Sequence, residues 1–305
     1  MTAGTPAPTG HVICGVDGSD FAQHAVDWAA DEAVLRGTTL ELVHAWEPKA
    51  FAPDDWHGVL HDAGVEALHR HAEQARRRHV DLIVTTDVVH ADAADVLEAV
   101  SARAGLLVVG RRGLGGFTGM LLGSVSRKLA GRTHCPLLVV PADERGTPPG
   151  ADVTDGTVAP CGPVVVGVSG ATCAPAVAGA FHEAALRHVP VHAFHAWSFP
   201  PPPAFGLHAV PPPPGRAAFA AAQRDAETML AEVTTPFRAA FPDVEVAESV
   251  INRPPVGALV DLSESAGLTV VALHPRPRDC GRTIGRVAYA ALHHAHSAVL
   301  LVPTG

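Results

Sequence analysis

The chain is written twice, and that repetition restricts its fold more than any single motif does. Val12-Ile13-Cys14-Gly15-Val16-Asp17-Gly18 lines up with Val164-Val165-Val166-Gly167-Val168-Ser169-Gly170. Val43-His44-Ala45-Trp46 lines up with Phe194-His195-Ala196-Trp197, and Leu138-Val139-Val140-Pro141 with Leu300-Leu301-Val302-Pro303. Each copy alternates short apolar runs with helical patterns. The first reads strand 11–17, helix from Ser19, strand 39–46, helix near 57–79, strand 82–90, helix from Asp92, strand 106–110, helix from Gly123, strand 136–140. The second reads strand 163–169, helix 173–188, strand 191–197, helix 216–240, strand 244–251, helix from Pro255, strand 268–272, helix from Gly285, strand 299–302. Parallel strands need crossovers, and right-handed helical crossovers cover both faces of a sheet. The expected fold class is therefore α/β: two tandem doubly wound domains, each on a five-stranded parallel sheet. Their expected bounds are 1–145 and 162–305. Residues 146–161 lie in a stretch rich in Gly, Pro, Thr and Asp without periodicity, which predicts an exposed linker.

A chain of 305 residues has room for two cores. Hydrophobic residues make up 47% and charged residues 17%, so a packed interior is expected, not disorder. The net charge of −9 argues against nucleic acid or an anionic membrane surface as partner, since both select a basic footprint. A polyanionic small ligand would have to be held by local amides. No apolar stretch approaches a membrane span and residues 1–10 lack signal-peptide character, so the expected location is cytoplasmic. Cys14, Cys135, Cys161, Cys173 and Cys280 are odd in number and share no C-x-x-C spacing, which suits small core or surface thiols in a reducing compartment.

The strongest chemical signal follows the apolar run Leu106-Leu107-Val108-Val109: Gly110-x2-Gly113-x9-Gly123-Ser124, feeding a helix. A polyphosphate needs several backbone N–H groups with no Cβ in the way, and a helix start adds partial positive charge. Ser124 adds a hydroxyl. Arg111, Arg112, Arg127 and Lys128 bring local positive charge to an acidic chain, although for Arg112 and Lys128 a plain surface role is at least as consistent.

In combination, Gly15-Val16-Asp17-Gly18-Ser19, the strand end Val43-His44-Ala45 and the G-x2-G-x9-G-[ST] loop continuing as Val125-Ser126 resemble the universal stress protein family in its tandem form. The resemblance covers both halves. It implies a Rossmann-like, adenine nucleotide alpha hydrolase-like fold whose two sheets pair through their last strands as a pseudo-dimer. It also implies ATP as ligand. By position, the first strand's end (Gly15, Val16, Asp17) holds the nucleotide, Ala45 meets adenine, and Gly110, Arg111, Gly113, Gly123 and Ser124 wrap the phosphates, with Val125 and Ser126 flanking. Ser124 and Asp17 are the candidates to assist Mg²⁺. A nucleotide-responsive stress module would act through a protein partner whose identity the sequence does not give, and a homodimer is compatible with the resemblance. The rival is a nucleotide-independent interaction scaffold of the same fold. Independently of the family, ligands of open α/β sheets collect at strand carboxyl ends where strand order reverses, and Asp17 and the glycine loop both lie at such ends.

The second copy departs from this pattern. Positions equivalent to Gly110, Gly113, Gly123 and Ser124 are Ala272, Pro275, Gly285 and Arg286, and Ser169 replaces Asp17. Proline has no N–H to offer, so a degenerate second site and one nucleotide per chain are expected. No Walker A loop, dinucleotide fingerprint or G-x-S-x-G elbow is present, and no catalytic residue is expected. His69-x-His71, His192-x2-His195 and His293-His294-x-His296 lack a full ligand set, so no metal site is expected either. His44 and His195 are expected as packed, hydrogen-bonded residues, and Cys14 as buried and inert. The proline-rich stretch 200–214 is expected as a stiff surface connector, with a lid or a partner-docking polyproline segment as the alternative.

Overall fold

The computed structural model describes residues 10–19, 22–47, 56–113, 122–141, 151–154, 157–160, 162–198, 215–274 and 284–304. The first half runs β1 (Val12–Gly15), α1 (Ala22–Leu35), β2 (Leu40–Trp46), α2 (Trp56–Arg78), β3 (Val84–His90), α3 (Ala93–Ser101), β4 (Leu106–Gly110), α4 (Ser124–Leu129) and β5 (Leu137–Val140). The segment expected as a linker carries a two-stranded antiparallel hairpin, β6 (Ala151–Thr154) and β7 (Thr157–Pro160). The second half runs β8 (Val164–Gly167), α5 (Ala174–Arg187), β9 (Val191–Trp197), α6 (Arg216–Ala240), β10 (Val246–Asn252), α7 (Pro255–Ser263), β11 (Leu268–Leu273), α8 (Arg286–His294) and β12 (Ala298–Pro303). Pro275 and the proline-rich stretch 200–214 lie outside the described residues.

The ten main strands form one sheet in the order β10-β9-β8-β11-β12-β5-β4-β1-β2-β3. Within each half every pairing is parallel, and β5 meets β12 antiparallel with Leu138 opposite Leu300. Each half thus covers the apolar edge strand of the other, which gives the pseudo-dimer its reason. Both faces of the sheet are buried, so the strands read as continuous apolar runs and successive residues feed opposite cores. Val12 and Cys14 pack into one core with Ala25 of α1, Leu68 of α2, Phe181 of α5 and Leu230 of α6. Ile13 packs into the other with Leu97 of α3, Leu129 of α4, Leu259 of α7 and Leu292 of α8. Each core runs across both halves. No helix among the described residues is long and apolar enough to cross a membrane.

Beside the seam, α1 and α5 share a closed ring of charge. Arg36 donates to Glu32 and Glu183, and Arg187 donates to Glu183 and Glu32. The four side chains are only 2% to 10% exposed, so the ions replace lost hydration with one another. Burial alone would raise the Glu183 carboxyl, but the charges of Arg187 and Arg36 outweigh it and hold it below its ordinary 4.5.

Candidate functional site

β1 and β4 are neighbours, yet the helices that follow them leave to opposite faces of the sheet: α1 to one, α4 to the other. A crevice must open between them. The strand β1 stops at Gly15, two residues before the expected end. Val16 N still donates to Val43 O at 2.9 Å, but Asp17 is freed from the ladder and hangs over the crevice. Gly18 then takes φ +80°, a left-handed turn that costs glycine nothing.

Asp17 is held from several sides. Its Oδ1 accepts from Ser19 N at 3.1 Å and Ser19 Oγ at 2.6 Å, an Asx turn. One residue back, the Val16 carbonyl accepts from His44 Nδ1 at 2.8 Å, and His195 makes the equivalent 2.7 Å bond to the Val168 carbonyl. Across the crevice stands Gly113. A Cβ added there would lie 2.0 Å from Asp17 Oδ2, so only glycine permits this approach of loop to carboxylate.

The glycine loop closes on itself through main chain. Gly123 N donates to Arg111 O at 2.8 Å, and Ser126 Oγ donates to Gly110 O at 2.8 Å, tying the end of β4 to the first turn of α4. Arg127 N makes the first bond of α4, to Gly123 O, so the amides of Ser124, Val125 and Ser126 precede its ladder. Gly123 is the N-cap and has no side chain to occupy them.

These elements enclose a cavity of about 390 Å³. Gly15, Val16, Asp17, Ala45, Gly110, Gly113, Gly123, Ser124, Val125 and Ser126 line it. Arg111 does not. Its Nη2 reaches the other way, to Ala295 O at the end of α8 at 2.6 Å, and burial followed by the charge of Arg112 pulls its guanidinium down to about 10. A half-buried arginine on a helix-terminal carbonyl ties the two halves together. The cation that does line the cavity is Arg112, one residue on. Lys128 is engaged with Asp92 Oδ2 at 3.1 Å, and Arg127 is exposed away from the cavity. The floor adds Val43, Ala93, Leu97, Val109 and Leu122. Val109 stands near the carboxyl end of β4 and Val43 is paired with Gly15, the last residue of β1, so their places in the pattern could have marked them; Leu97 and Ala93 belong to a helix whose docking no motif announces.

The second half has an equivalent cavity of about 320 Å³. Ser169, Ala272, Gly285 and Arg286 line it together with Cys173 and His274. Among the described residues no group of three His, Cys, Asp or Glu side chains could hold a metal ion.

Comparison with known proteins follows the same two halves. The sequence model of the universal stress protein family matches residues 8–141 and 161–303. The universal stress protein Rv2623 of Mycobacterium tuberculosis is 34% identical over 303 residues, covering 95% of this chain and 95% of that protein. The universal stress protein Rv1996 of the same organism is 31% identical over 311 residues, covering 95% and 94%. The crystal structure of a universal stress protein from Archaeoglobus fulgidus superposes with a TM-score of 0.67 over 97% of this chain and 100% of that one, at 13% identity.

Proposed function

The chain belongs to the universal stress protein family, and we propose that its first half binds an adenine nucleotide, ATP, in the β1/β4 crevice. The observation that carries the reading is the meeting of Gly113 with the Asp17 carboxylate. A glycine forced by contact with a carboxylate, at the mouth of a hollow lined by loop amides, fits a ligand with hydroxyls at one end and phosphates at the other. Asp17 Oδ2 accepts from the ribose hydroxyls. Ala45, Val43, Leu97 and Val109 give the base an apolar slot, and the amides of Gly113, Ser124, Val125 and Ser126 face the phosphates with Arg112 at the rim. Mg²⁺, which prefers oxygen ligands, would find few here: Ser124 and Asp17 are the protein's candidates, and phosphate oxygens and water would supply the rest. Among the described residues no side chain is arranged to orient an attacking water on a γ-phosphate, which favours a nucleotide-dependent shape read by a partner, with slow hydrolysis, over a dedicated enzyme.

The second cavity lacks these features. Ser169 cannot offer a carboxylate, Ala272 carries a Cβ at the first loop position, and Arg286 stands where Ser124 stands in the first half. It is read as not binding ATP.

Asp17→Ala tests the reading. Loss of the charged acceptor should weaken ATP binding by about 2 kcal/mol, or about 30-fold, with the fold retained. Isothermal titration of the parent and variant reads this directly, and equal affinities would move the site elsewhere.

A further inference from the structure

The second cavity exchanges the chemistry of the first. Where the first is lined by Asp17, Ala22 and Arg112, the second is lined by Ser169, Cys173 and His274. With Ala272 in register with Gly110, Ser169 takes the place of Asp17 and His274 that of Arg112, and Cys173 immediately precedes α5 as Ala22 opens α1. From this cluster we infer that the second cavity is a thiol site, in which Cys173 is a nucleophile served by His274 and is oxidised by a hydroperoxide to a sulfenic acid.

The arrangement supplies each part of that chemistry. Cys173 Sγ lies 3.9 Å from His274 Nε2. The other ring nitrogen, Nδ1, is 3.3 Å from Thr304 Oγ1, and that hydroxyl gives its own proton to Leu273 O at 3.0 Å. Thr304 Oγ1 can therefore only accept from the ring, which puts the neutral imidazole's proton on Nδ1 and leaves the Nε2 lone pair facing the thiol. His274 is exposed on its outer side and exchanges protons with solvent. The sulfur also receives Ser169 N–H at 3.4 Å, and Ser169 Oγ stands 3.3 Å away. Donors of this kind would hold an oxygen added to the sulfur.

In the step itself the Cys173 proton passes to His274 Nε2. The thiolate attacks one peroxide oxygen, a sulfur–oxygen bond forms and the oxygen–oxygen bond breaks. The departing hydroxide or alkoxide takes the proton from His274 and leaves as water or alcohol. Sulfur loses two electrons and the peroxide gains them. A hydroperoxide suits the site because Cys173 is only 2% exposed and is reached through the cavity, which selects a compact reagent. Cys14 and Cys135 are the internal controls: both are buried, neither lines either cavity, and burial raises both thiols, Cys135 to about 11.

The experiment treats the full-length protein with hydrogen peroxide at neutral pH, traps sulfenic acid with dimedone and maps the adducts by peptide mass spectrometry. Cys173 should be trapped about 10-fold faster than Cys14 or Cys135, and His274→Gln, a change at an exposed side chain, should slow it about 10-fold. Absence of the adduct at Cys173, a rate no greater than that of Cys14 and Cys135, or a His274→Gln rate within twofold of the parent would each overturn the inference. The nucleotide reading stands or falls separately, since no residue of the first cavity takes part.

Discussion

Replacing Gly113 with valine is expected to weaken ATP binding by about 100-fold or more while leaving the thermal midpoint within a few degrees of the parent. The size follows from two losses at one position. Any Cβ at residue 113 would sit 2.0 Å from Asp17 Oδ2, far inside van der Waals contact, so the carboxylate must swing away or the loop must lift. The first outcome removes the ribose acceptor, and the second withdraws main-chain N–H groups from the phosphates. In either case the valine side chain also adds bulk inside the crevice, so the effect exceeds that of Asp17→Ala, which removes the acid and leaves the loop in place. Stability changes little because residue 113 contributes no core side chain. Titration calorimetry with a thermal melt on the same sample separates the two readouts, and a valine variant that binds like the parent would mean that the crevice is not the phosphate site.

The second large effect is on stability. Glu183→Gln removes one charge from the ring Glu32–Arg36–Glu183–Arg187 and strands two buried guanidiniums facing a single carboxylate, which should cost about 3 to 5 kcal/mol. In a chain of this size that corresponds to a midpoint lower by roughly 10 °C or somewhat more. Replacing all four with apolar residues of similar volume should recover most of the loss, because the desolvation of the ions then disappears together with their attraction. Acid should act on the same ring. The folded Glu183 carboxyl is held below its ordinary 4.5, so its contribution is complete above that value and is lost as pH falls through the lower folded value. Thermal melts of the parent should therefore drop below about pH 4.5 more steeply than those of the apolar quadruple variant. Parallel melting curves for the two proteins would show that the ring is not the acid-sensitive element.

The sequence disclosed the fold through local repetition and little of what crosses between halves. β4 and the helix 216–240 coincide with their expected spans because a bounded apolar run and a long amphipathic pattern are local signals. β1 was expected to reach Asp17 but ends at Gly15; hydropathy marks where an apolar run stops, not where its ladder partner turns away. The cavity residues at strand ends were legible because the topology sends them there. Arg111 was not, since its partner, the Ala295 carbonyl, is 184 residues distant. The charge ring hides for a related reason. Glu32 with Arg36, and Glu183 with Arg187, each read as an ordinary i,i+4 pair on a solvent-facing helix, and only the seam between the halves shows that the two pairs are buried against each other. Cys173 and His274 stand 101 residues apart and come together only when β8 and β11 are adjacent.

The most direct test of the account is the stoichiometry of ATP binding to the full chain, measured by titration calorimetry on the parent and on the Gly113→Val variant. One equivalent for the parent and none detectable for the variant is the predicted result. Two equivalents, or none in the parent, or one that survives the valine, would contradict a single nucleotide seat between Asp17 and the glycine loop.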